Sequence, residues 1–158
     1  AAQNWLQKAK SVNAKAPEIN ANMALLALKS GDVAKAEVLM GQASGSDTYN
    51  EVLGNLNIAK GNYTQAQKNL SNTATNSAAL SQILNKDYNA AKKTLAAIKT
   101  PDATTSYLKA VVAARTNDAA AVKANLKAAI TSDSSLKARA ANDIEFANYK
   151  NDIADLVK

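Results

Sequence analysis

Leu53-Gly54-Asn55-Leu56-Asn57-Ile58-Ala59-Lys60-Gly61-Asn62-Tyr63-Thr64-Gln65-Ala66-Gln67-Lys68-Asn69-Leu70 is the stretch that decides the fold. Val52, Leu53, Leu56 and Ile58-Ala59 recur at helical spacing, so the first half is read as an amphipathic helix. Thr48 and Glu51 upstream have the spacing of a capping box. Gly61 is expected to end that helix, because its cap needs a residue tolerant of positive φ. Asn62 is expected to cap the next helix, and Tyr63, Ala66 and Leu70 then fall on one helical face. The unit is a helical hairpin.

The second half of this pattern occurs four times: a polar opener, a small residue four positions on and a long apolar one eight positions on. The sets are Asp32/Ala36/Met40, Asn62/Ala66/Leu70, Asp87/Ala91/Leu95 and Asp118/Val122/Leu126. The openers lie 30, 25 and 31 residues apart. Repetition on this scale is the mark of stacked helix pairs, a solenoid. Gly31 and Gly61 give way to Lys86 and Asn117 in the later copies; Asn suits a left-handed cap, whereas Lys does not, so Asn85 is expected to take that conformation in the third. Gly54 is expected to mark a close helix contact. Pro17 and Pro101 each predict the first residue of a helix, with Ala16 and Thr100 as their caps. Ser44-Gly45-Ser46-Asp47 reads as a loop.

The chain is read as one domain, residues 1–158. A leading helix (1–16, with Trp5, Leu6 and Val12 apolar) precedes four hairpins (17–131), and capping helices follow (132–158). The leading helix, roughly Gln3 to Lys15, is expected to be the second half of a hairpin, with Trp5 packed on the next one. Ser134 to Tyr149 is expected to be one helix with Leu136, Ala140, Ile144 and Ala147 inward. The start at Ala1, without Met, is read as that of a processed protein or an excised domain.

Composition bounds the function. Hydrophobic residues make up 47% of the chain and aromatics 4%, with five Gly and two Pro, which favours an all-α fold over a turn-rich β one. There is neither His nor Cys. That excludes disulfides, zinc sites built on those ligands and the Ser-His-Asp triad. No apolar run approaches the roughly 18 residues of a transmembrane helix. Glu51, Asp143 with Glu145, and Asp152 with Asp155 are the suggestive carboxylates, and each is read as solvated surface. No catalytic, cofactor or metal residue is assigned. The net charge of +6 arises from 19 basic and 13 acidic residues; 10 and 4 of these lie between Lys86 and Arg139, leaving nine of each elsewhere.

Leu53-Gly54, Ala59, Gly61-Asn62-Tyr63, Ala66 and Leu70 resemble a tetratricopeptide repeat. Gly31-Asp32-Val33 with Ala36, and Asp87-Tyr88 with Ala91, resemble the same turn. The spacings fall short of that family's usual period of about 34. The resemblance, over roughly Glu18 to Ile130, implies a right-handed superhelix whose first helices line a groove for peptides or helices. Glu51 stands where a carboxylate-clamping Lys would be expected, although Asn55 fits. Ala16-Pro17-Glu18 and Ser135-Leu136-Lys137-Ala138-Arg139 resemble repeat arrays of bacterial outer-membrane and periplasmic proteins, which favours the cell envelope over the cytoplasm.

Polar residues on first helices are the candidate groove contacts: Asn22, Asn50, Glu51, Asn55, Asn76 and Tyr107. Asn offers both donor and acceptor to an extended backbone. The expected role is a non-catalytic protein–protein interaction or scaffolding module, with no cofactor. One alternative is a structural spacer in a larger envelope protein. Another is a polyanion surface built on Lys92, Lys93, Lys99, Lys123, Lys127, Lys137 and Arg139. Nucleic acid is the disfavoured partner: stacking aromatics are scarce there, and only Arg115 and Arg139 could make bidentate contacts.

Overall fold

Apolar spacing without β-branched runs predicts helices, and the computed structural model, which describes residues 2–13 and 16–158, has twelve helices and no strand among those residues. They fall into two compact units. Unit 1, Ala1–Thr73, holds α1 (Ala2–Val12), α2 (Pro17–Lys29), α3 (Val33–Met40), α4 (Tyr49–Ala59) and α5 (Tyr63–Asn69). Unit 2, Ala74–Lys158, holds α6 (Asn76–Leu84), α7 (Tyr88–Ala97), α8 (Ala103–Arg115), α9 (Ala119–Ser132) and α10 (Leu136–Asn142). A 3₁₀ helix (Ile144–Tyr149) and α11 (Ala154–Val157) complete it. The expected pairs α2–α3, α4–α5, α6–α7 and α8–α9 pack as hairpins.

One hydrogen-bond pattern closes all four hairpins. The opener's backbone N–H bonds the carbonyl five residues back: Asp32 to Ala27 (2.9 Å), Asn62 to Asn57 (2.8 Å), Asp87 to Gln82 (2.8 Å) and Asp118 to Ala113 (3.0 Å). The residue before each opener bonds the carbonyl three back, as Gly31 does to Leu28 and Lys86 to Ile83, both at 3.0 Å. This is the Schellman ending, which needs a left-handed residue at the turn. Gly31 (φ 80°), Gly61 (77°), Lys86 (63°) and Asn117 (58°) supply it. The expectation for Asn85 is therefore corrected: its φ is −83°, and Lys86 is left-handed because the bonding pattern fixes which position must turn.

The same opener also starts the following helix. Asp32, Asp87 and Asp118 accept the N–H three residues on, from Lys35, Ala90 and Ala121, at 3.0 to 3.1 Å. Asn62 has similar backbone angles but makes no such bond. Its amide turns back to Asn57 Oδ1 (3.5 Å), and Asn57 donates to Asn69 Oδ1 (3.1 Å). A neutral Asn gains less from the helix dipole than a carboxylate does, so the buried Asn57 competes for it.

The small and long residues of the repeat meet where each pair packs. Ala36, Ala66, Ala91, Val122 and Leu126 are fully buried, and Met40, Leu70 and Leu95 nearly so. Gly54 marks a close approach, since a Cβ there would stand 2.4 Å from Leu70 Cγ.

Further expectations are corrected. Thr48 precedes α4 but its hydroxyl makes no cap bond. It pairs with Ser46 Oγ at 3.1 Å, because Thr48 lies at ψ 4° and not in the extended conformation of a cap. Thr100 does not cap α8. Asp102 does, with its carboxylate accepting Thr105 N–H (2.8 Å) while Thr105 Oγ1 accepts Asp102 N–H (3.1 Å); an ionised acceptor outbids a hydroxyl. Trp5 is 71% exposed, against the packing expected of it; its ring carries the Lys8 ammonium, 5.3 Å from the centroid. The C-terminal part of the helix expected over Gln3 to Lys15 lies partly outside the described residues. Ser134 to Tyr149 is not one helix either: α10 stops at Asn142, and Asp143 caps the 3₁₀ turn through Glu145 N–H (3.0 Å). The break buries Phe146 and leaves Ile144 exposed, reversing the expected face.

Candidate functional site

In unit 2, α6, α8 and α10 enclose a cleft of about 260 Å³. Leu80, Leu108 and Leu136 give it an apolar lining, one from each helix. Asn76, Ser77, Thr104, Tyr107 and Arg139 supply the polar groups. Two of the six residues expected to contact a ligand, Asn76 and Tyr107, are thus brought together.

Both are also committed to the fold. Asn76 Nδ2 donates to Asp102 Oδ1 (3.0 Å), and Asn76 Oδ1 accepts the Thr105 hydroxyl (2.9 Å). This ties the start of α6 to the cap of α8. The Thr105 N–H bond, helped by Asn76 and the Thr105 hydroxyl, holds the Asp102 carboxyl below its usual range. Tyr107 is 3% exposed. Its hydroxyl donates to Asp143 Oδ2 (2.6 Å), and its ring meets Phe146 edge-on at 5.5 Å. Burial, then the Asp143 carboxylate, pushes the phenol above its usual value, so it stays protonated as the donor.

Arg139 is exposed at the edge of the cleft, and its guanidinium lies 4.8 Å from the Tyr107 ring centroid. Arg115 has a different role. It makes a bidentate pair with Glu145, with Nε 2.9 Å from Oε2, and Nη1 donates to Ile83 O (3.2 Å). The Glu145 hydrogen bond raises its pKa, outweighing burial. Arg115 therefore staples α6, α8 and the 3₁₀ helix and is spent as a nucleic-acid contact. Asp143 and Glu145, read from the sequence as solvated carboxylates, are structural acceptors. The signal for them was the Asn142-Asp143 break before Phe146.

The other four candidates belong to unit 1. Asn22 on α2, and Asn50 and Glu51 on α4, are exposed, and Asn55 is half-buried. None of them lines the cleft of about 130 Å³ that Gln3 and Leu6 form with Met23, Leu26 and Lys35. Of the expected basic stripe, Lys92, Lys93, Lys99, Lys127 and Lys137 are exposed, whereas Lys123 pairs with Asp155 at 3.0 Å. That ion pair lowers the Asp155 pKa.

No group of three or more His, Cys, Asp or Glu among the described residues is placed to hold a metal, and no helix there is long and apolar enough to cross a membrane. The chain matches no family model, no curated protein and no solved structure.

Proposed function

We propose that the chain is a non-catalytic interaction module of tetratricopeptide-like design, its hairpins stacked in a right-handed superhelix, and that it binds an extended peptide of another protein. The cleft between α6, α8 and α10 carries this reading. First helices of successive hairpins form two of its sides, and it joins an apolar lining to a polar edge, the usual makeup of a recognition site. The repeated turn supports the family likeness, and the likeness of the Pro17 and Ser135 segments to envelope repeat arrays supports a place in the bacterial envelope.

The test is peptide selection from a random display library on the immobilised protein. Thr104 is an exposed residue at the cleft. Thr104→Trp should fill the cleft and weaken the selected peptides at least tenfold, a change of about 1.4 kcal/mol, with helical circular dichroism unchanged. Peptides that bind both proteins equally, or no enrichment at all, would remove the reading.

A further inference from the structure

Resting on that reading, we infer that the α6–α8–α10 cleft selects a peptide in which an acidic side chain neighbours an apolar one, with the carboxylate held by Arg139.

The two guanidinium groups of unit 2 make the argument. Arg115 has found its carboxylate, Glu145. Arg139 has none within 4 Å among the described residues. The nearest acid along the chain, Asp143, has both oxygens engaged, Oδ2 by the Tyr107 hydroxyl and Oδ1 by Glu145 N–H. Arg139 instead lies over the Tyr107 ring, a cation–π contact with its guanidinium carbon 4.8 Å from the centroid. Tyr107 is itself fixed by Asp143 and Phe146. A guanidinium ordered on an aromatic face loses less freedom when it binds, and its planar fork suits a carboxylate.

The cleft favours a peptide side chain over a phosphate backbone. Leu80, Leu108 and Leu136 offer apolar surface beside the cation. Asn76, which could have read a peptide amide, is engaged by Asp102 and Thr105. One cation next to a leucine-lined hollow matches an acidic residue adjacent to an aliphatic one. Basic peptides would meet Arg139 with like charge.

Two acetylated and amidated hexapeptides, Gly-Ser-Leu-Glu-Ser-Gly and its Gln counterpart, test this without a terminal carboxylate. Each is titrated into the whole chain at low salt and followed by backbone amide NMR. Both should shift the amides of Leu80, Leu108 and Leu136, and the Glu peptide should bind about tenfold tighter, as expected for a charge-assisted hydrogen bond. Arg139→Gln should erase that difference, while Arg139→Lys should retain part of it. Equal binding of the two peptides to the native chain would overturn the role of Arg139 and leave the cleft reading standing. Shifts from neither peptide at these leucines would overturn both.

Discussion

Hairpins α4–α5 and α6–α7 make the same turn with different residues and hold it by different means. Gly61 turns left-handed at no steric cost, and Gly54 lets Leu70 press against the α4 backbone. Lys86 makes the same turn with a Cβ in the way. Its first helix, α6, is tied in by polar contacts from elsewhere in unit 2: Arg115 on the Ile83 carbonyl, and Asp102 and Thr105 on Asn76. The hydrogen-bond pattern sets the shape of the turn. The residue at the left-handed position sets only what that shape costs.

The comparison breaks most readily at Arg115. Arg115→Ala leaves the half-buried Glu145 carboxylate and the Ile83 carbonyl without their partner, and should cost about 2–3 kcal/mol in urea unfolding. A loss below about 0.5 kcal/mol would mean that this unit is not held by its polar staples. Gly54→Ala tests the apolar side. The helix-propensity gain of roughly 1 kcal/mol should be overcome by the clash with Leu70, for a net loss of about 1–2 kcal/mol. A more stable variant would show that the contact has room to relax. The turn residues give the smallest effect. Lys86→Gly should gain about 1 kcal/mol and Gly61→Lys should lose a similar amount. Midpoints that move the same way in both would end the claim that the two turns are equivalent.

The hairpins were legible because each rests on a short pattern with one outcome. A residue four after the opener and another eight after it must share a helical face, and all eight of these side chains are buried. What sequence could not settle is which of several acceptors wins. Thr48 and Asn62 have the right chemistry to cap, yet Ser46 and Asn57 take them. Lys86 is disfavoured by propensity, yet the bond from Asp87 to Gln82 leaves it no choice. The expectation of one C-terminal helix over Ser134 to Tyr149 fails for a related reason. Leu136, Ala140, Ile144 and Ala147 satisfy helical spacing, but one helix cannot both follow it and bury Phe146 beside Tyr107. Of the cleft, Asn76 and Tyr107 were found from their place on first helices. From sequence Arg139 belongs with the basic stripe, since a cation–π contact with a ring 32 positions away has no local signature.

Asp32, Asn62, Asp87 and Asp118 each finish one helix with a backbone N–H and open the next with the backbone carbonyl, which accepts the N–H four residues on. A single position thus carries both the full stop and the capital letter, and nothing can be inserted between them. An added residue would separate the two duties and unravel a helix end on either side. Ser44 and Gly45, exposed in the loop between α3 and α4, carry no such double duty, so an added residue is better tolerated there. A chain wired this way can vary its size most safely by gaining or losing complete hairpins, which makes the hairpin the natural unit of duplication.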